Sequence, residues 1–137
     1  MSMQKQLEIN TSGRGIYDIT SSINSLVISA NISAGLCHIF CQHTSCSLTL
    51  CENYDDDVKV DIETYLSELV VDGDSRFLHT AEGKDDMSAH IRTMLTQSEL
   101  TIPIIDNHLA LGRWQGINLY EHRYGSYHRN LMITLIG

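Results

Sequence analysis

Apolar residues alternate with polar ones at Leu7 and Ile9, over 117–120 and over 131–136, the period-two signature of strands with one buried face. Segments 36–42 and 45–51, rich in apolar and β-branched side chains, read as two strands or one bent strand, with His43-Thr44 between them. Segment 100–105 reads as a further strand, and Pro103, which cannot donate to a ladder, suits an edge or a bulge. Gly13-Arg14-Gly15 and Gly125-Ser126 punctuate as turns.

Helical spacing appears three times. Ile19, Ile23, Leu26 and Val27 share one face, with Asp18 or Thr20 as cap. Val58, Ile62, Tyr65, Leu66 and Leu69 follow Asp55-Asp56-Asp57, whose charges favour a helix start. Asp86 or Ser88 can cap a third helix running to about Thr96, with Ile91, Met94 and Leu95 expected to face inward. Between the last two helices lies a long polar connector, 71–85, of the kind that tends to carry function. Strands at both ends around inserted helices predict an α+β domain or a β-sandwich decorated by two or three helices.

A length of 137 residues predicts one domain spanning 1–137. Membrane crossing is not expected, because no stretch approaches the roughly 20 apolar residues a span needs. Met1 to Gln6 has no apolar leader core behind it, so cytoplasmic residence is the expectation. A net charge of −8 without a Lys/Arg cluster argues against nucleic-acid binding. A local pocket can still take a small phosphorylated ligand. Cys37, Cys41, Cys46 and Cys51 form no CxxC pair and lie in or beside apolar runs, which predicts buried thiols rather than a metal site.

The candidate chemistry is carried by histidines. His43, His79 and His90 each occupy a polar context at a strand end, a loop or a helix start, and three neutral imidazoles can hold a divalent metal with a position open to water or substrate. His108, His122 and His128 read as surface residues of turns. Ser45 or Cys46 beside His43 also suggests covalent hydrolysis, although no nucleophile elbow is present.

Gln42-His43-Thr44-Ser45 with Ser47 to Leu50 and Glu52-Asn53, then Glu82-Gly83 through Asp86-Met87 to His90, then Gly112, Trp114-Gln115-Gly116 and Glu121, together resemble the YjbQ-like family, often labelled secondary thiamine-phosphate synthase. The resemblance covers nearly the whole chain. It implies a β-rich distorted sandwich of mainly antiparallel strands, assembled as a homotrimer. It also implies weak thiamine-phosphate synthase activity, joining a pyrimidine-methyl diphosphate to a thiazole phosphate. By position, His43, His79 and His90 become the expected metal ligands, with Zn²⁺ suited to histidines and Mg²⁺ to a diphosphate substrate. His43 and Glu121 become the expected catalytic residues. Thr44, Ser45, Gln115 and Arg129 become the expected substrate contacts. The alternative is a non-catalytic metabolite- or metal-binding homotrimer, since no standard catalytic motif is present.

Overall fold

A computed structural model describes residues 1–137. The strands form two antiparallel sheets and three helices pack around them, an α+β fold. Strand β1 (Ser2–Ser12), β8 (Ser126–Ile136), β3 (Ala34–Cys41), β5 (Glu99–Ile105) and the two-residue β6 (His108–Leu109) lie in that order in the larger sheet. The smaller sheet has the order β2 (Gly15–Asp18), β7 (Gln115–Glu121), β4 (Cys46–Glu52).

Alternation along the strands builds the core. Leu131, Ile133 and Leu135 of β8 are buried beside Cys37, Ile39 and Cys41 of β3 and Leu100, Ile102 and Ile104 of β5, facing Leu48, Ile117 and Leu119 of the smaller sheet. Each such aliphatic side chain contributes about 1.5–3 kcal/mol relative to exposure. Helix α1 (Thr20–Ala30) closes one side through Ile23 and Val27. Asp18 Oδ1 accepts from Thr20 N–H (2.9 Å), and the helix ends on Asn31 in a left-handed conformation (φ 54°). Helix α2 (Asp56–Leu69) starts as its acids predict: Asp55 accepts from Asp57 N–H at 2.9 Å. Pro103 lies in β5, one strand in from the sheet edge rather than on it; β6 pairs only with Ile104 and Ile105, and Pro103 O accepts from Ala110 N–H (2.8 Å) on that side, where its missing N–H interrupts no ladder.

The two candidate strands around His43-Thr44 are separate and do not pair with each other. β3 belongs to the larger sheet and β4 to the smaller, so residues 42–45 cross between them. The chain makes the same crossing at Gly13-Arg14 and at residues 122–125. The three crossings are tied together: Gly13 N–H donates to Gly125 O (3.0 Å), His122 N–H to Ser45 O (3.3 Å) and Arg14 Nε–H to His122 O (2.7 Å).

Helix α3 (Asp86–Leu95) departs from the expectation. Met94 and Leu95 point outward, 85% and 57% exposed, while Asp86, Ser88, Ala89, Arg92 and Thr93 are buried. The partners awaiting this helix are polar, including His122, Glu63 and Tyr120, so its inward face is polar too. Ile91 does turn inward, against Leu66, Val70 and Tyr120.

Candidate functional site

The end of the sandwich where the chain changes sheets also receives the 71–85 connector and the start of α3. Arg14 fixes the near end of the connector through a two-pronged bond to Asp72 (2.8 and 2.9 Å). Asp85 fixes the far end by accepting from Tyr124 N–H (2.9 Å). This docking brings His79, on the connector, beside Asp86 and His90, one turn apart on α3.

The three side chains converge. His79 Nε2 lies 2.7 Å and His90 Nε2 3.1 Å from Asp86 Oδ2, and one donor atom from each residue falls within 4.8 Å of the others. His90 Nδ1–H donates to Thr44 O (2.9 Å), since a carbonyl can only accept. In the neutral ring, His90 Nε2 is then a lone pair facing a carboxylate oxygen, an arrangement that a proton or a metal cation between them would relieve. Ligands arranged tetrahedrally on Zn²⁺ at about 2.0–2.2 Å sit roughly 3.4 Å apart, so two imidazoles and a carboxylate 2.7 and 3.1 Å apart would take such an ion after opening by less than about 1 Å. Burial pushes the Asp86 carboxyl up, but hydrogen bonds with His79 and Glu82 and the charges of His90 and Arg123 outweigh it and hold it below its usual range.

His43 stands on the other side of His90. The two line one cavity of about 360 Å³ with Thr44, Thr93, Met94 and Ser98. His43 Nε2 accepts from Asn130 N–H at 2.7 Å, and burial together with the Arg129 charge lowers its pKa. The ring is therefore a neutral donor whose remaining polar atom is Nδ1–H. On the opposite flank, His79 lines a second cavity of about 340 Å³ with Phe77, Thr80, Lys84 and the connector glycines.

A family model described as UPF0047 protein YjbQ-like matches residues 5–137. The chain belongs to this YjbQ-like family. It is 40% identical over 134 residues to the UPF0047 protein sll1880 of Synechocystis, covering 98% of this chain and 91% of that protein. It is 38% identical to the UPF0047 protein YjbQ of Escherichia coli O157:H7, covering 98% and 97%. Among solved structures, an uncharacterised yjbq/upf0047-family protein of Clostridium acetobutylicum superposes with a TM-score of 0.88 at 32% identity, over 96% of this chain and 99% of that one.

Within this YjbQ-like chain, the other expected site residues divide into two groups. Glu121 is fully buried and takes a two-pronged bond from Arg129 (2.7 and 2.5 Å), a bond from the Thr11 hydroxyl (2.7 Å) and one from Arg123 N–H (3.2 Å). Arg129 also reaches Ser45 Oγ (3.0 Å), leaving Nη1 as its one nitrogen without an intramolecular bond. Thr44 places its carbonyl on His90 and lines the His43 cavity. Gln115 lies apart. It opens β7 opposite Glu52, whereas Glu121 closes β7 opposite Cys46, roughly 20 Å away at 3.3 Å per residue. There its Oε1 accepts from Gly112 N–H (2.8 Å), next to Trp114, which packs edge-on to Tyr54.

Sequence patterning missed three participants. Asp86 read as a cap, although its spacing of four from His90 is the helical signal for a shared face. Arg123 contacts Asp86 Oδ1 (2.9 Å); its sequence context suggests a phosphate or an acidic partner but does not single out Asp86. His122, expected at the surface, is fully buried. It accepts from Arg92 Nε–H (3.1 Å) at Nδ1 and donates from Nε2 to Ser47 Oγ (2.8 Å). Burial, followed by the charges of Arg92, Arg14 and Arg129, lowers its pKa to about 2. The crossing between sheets carries it inward, where a simple hairpin would have left it outside. His108 and His128 are at the surface as expected. Cys37, Cys41 and Cys46 are buried free thiols and Cys51 is half-buried, matching their reading as core residues.

Proposed function

We propose that this chain is a metal-assisted enzyme acting on a small phosphorylated metabolite, with His79, Asp86 and His90 as the metal-holding set. One observation carries the reading: two imidazole nitrogens and a carboxylate oxygen converge, with His90 Nδ1 already committed to Thr44 O so that Nε2 is the ligand atom. Zn²⁺ suits this donor set, and Mg²⁺ would accompany a diphosphate substrate. A divalent ion there supplies positive charge to phosphate oxygens or acidifies a bound water.

The chain's own groups supply the rest. His43, neutral and held by Asn130 N–H, offers Nδ1–H to a substrate oxygen rather than acting as a base at Nε2. Lys84 borders the His79 cavity, a cation suited to phosphate, and Phe77 lines the same cavity. Glu121 fixes Arg129 and leaves one of its nitrogens for an anion. The more specific reading is thiamine-phosphate synthesis from a pyrimidine-methyl diphosphate and a thiazole phosphate, in a cytoplasmic homotrimer. Displacement of diphosphate needs its charge neutralised, and a bound ion plus Lys84 would meet that need.

The test is metal content by elemental analysis after incubation with Zn²⁺, for the native chain and for His79→Ala, Asp86→Ala and His90→Ala, followed by turnover assays with candidate diphosphates. Near-stoichiometric metal lost in each variant, with turnover lost alongside, is the expected result. Metal binding without conversion of any diphosphate would favour the non-catalytic metal-binding reading. Sedimentation velocity on the same samples checks the trimer.

A further inference from the structure

Asp86 uses its two oxygens for different purposes. Oδ2 faces both histidines, while Oδ1 is taken by Arg123 Nη1 at 2.9 Å. Arg123 is itself immobilised on three sides: Nη2–H donates to Glu82 O (2.8 Å), Nε–H and Nη2–H reach Asp85 (3.3 Å each), and the guanidinium lies 5.6 Å from the Tyr127 ring centre. Its side chain is 16% exposed and that of Asp86 is 4% exposed, so water competes weakly for either. A carboxylate on the first turn of a helix can rotate to present either oxygen. A guanidinium held in ion-pair contact 2.9 Å from one of them restricts that freedom.

The geometry points to Arg123 as a positioning residue of the His79–Asp86–His90 set: it pins Oδ1, so that Asp86 offers Oδ2 alone and acts as a single-oxygen ligand. Arg123 has no hydrogen bond or ion pair with either histidine, and its contact with the set is made through Asp86. It also joins the third sheet crossing to the connector, so the carboxylate's orientation depends on two segments distant in sequence. This inference rests on the metal reading above for its consequence, but the arrangement of Asp86 against the histidines can be tested without metal.

The experiment compares the native chain with Arg123→Gln, Arg123→Lys, Asp85→Asn and, as a remote control, Arg113→Gln, whose guanidinium stacks on Trp114 at the far end of β7. Three quantities are read: imidazole ¹⁵N shifts of His79 and His90 in metal-free protein, Zn²⁺ affinity by chelator competition, and the visible spectrum with Co²⁺. Arg123→Gln is expected to move both Nε2 shifts, to weaken Zn²⁺ binding by about 10–100-fold as loss of an outer-shell partner does, and to change the Co²⁺ spectrum. Arg123→Lys, which keeps charge but loses the planar fork, is expected to fall between it and the native chain. Asp85→Asn, which loosens Arg123 and the connector but leaves the Arg123–Asp86 ion pair in place, is expected to give a clearly smaller change than Arg123→Gln, and Arg113→Gln none.

Unchanged histidine shifts and Zn²⁺ affinity in Arg123→Gln would overturn the inference. So would an equal effect from Asp85→Asn, which would mean that Arg123 merely orders the connector. If the native chain takes up neither metal while Arg123→Gln still moves the histidine shifts, the metal reading fails and the positioning role stands.

Discussion

Two histidine centres lie at the same end of this molecule, and they are built on opposite principles. Around His122 the bonding is closed: Arg92 Nε–H fills Nδ1, Ser47 Oγ receives Nε2–H, and Thr96 also donates to Ser47 Oγ (2.6 Å). Around His90 and His79 it is open: two imidazoles meet one carboxylate oxygen, and the only other group nearby is the exposed Glu82 carboxylate, 3.6 Å from His79 Nε2. The first arrangement stiffens the interior. The second leaves a position that a cation would complete. Burial alone would have suggested the reverse ranking, because His122 is the more buried residue. What separates the centres is whether each ring nitrogen already faces a complementary partner, a donor for the lone pair and an acceptor for the proton.

The comparison breaks most visibly at Arg92. It is fully buried, bonded to Glu63, Tyr120 and His122, and has one unpartnered nitrogen, Nη1. Arg92→Ala is expected to cost about 3–5 kcal/mol in urea unfolding, because Glu63 and His122 lose the charge that satisfies them. Acid sharpens the contrast next. The folded pKa of His122 is about 2 against an ordinary value near 6.5, so the unfolded chain takes up a proton that the folded chain refuses. Its contribution is constant above about pH 6.5 and is lost below it, by up to about 1.4 kcal/mol per pH unit. Stability measured from pH 7 to 4 in the native chain and in His122→Gln checks this, the variant having the shallower slope.

At the open centre the effects on folding are smaller. His79→Ala is expected to change stability by less than about 1 kcal/mol, since its pairing with Asp86 is half exposed, and yet to abolish Zn²⁺ retention. Urea unfolding and elemental analysis on one preparation separate the two effects. The smallest change is expected from Met94→Glu, within about 0.5 kcal/mol, because that side chain lies in solvent on the outer face of α3.

Strand alternation and helical period revealed nearly every element here, because the core is apolar and the sheets antiparallel, so local pattern and tertiary burial agree. The pattern failed where burial is polar. Met94 and Leu95 were expected inward, and Asp86, Arg92 and Thr93 occupy that face, held by Arg123, Glu63, Tyr120 and the Ala89 carbonyl. For the site, the period of four from Asp86 to His90 was visible, whereas the arrival of His79 was not. That depends on Arg14 reaching Asp72 and Tyr124 reaching Asp85, contacts that no local spacing encodes. Sheet membership was equally hidden, and with it the burial of His122. Two strands joined by a short loop resemble a hairpin in sequence, whether they pair or part.

The connector's mode of attachment has a dynamic consequence. Residues 71–85 are held mainly by ion pairs and turns around Asp72, Asp74 and Asp85, while the strands beside them are locked by ladders and an aliphatic core. Amide exchange should therefore proceed in two tiers, with the connector opening at a fraction of the free energy of global unfolding. On warming, His79 would leave its partners while the sheets remain intact, and the centre would lose its geometry before the protein loses its fold. A bound cation tethering connector to helix would merge the two tiers, so that amide protection over 71–85 becomes a direct gauge of occupancy.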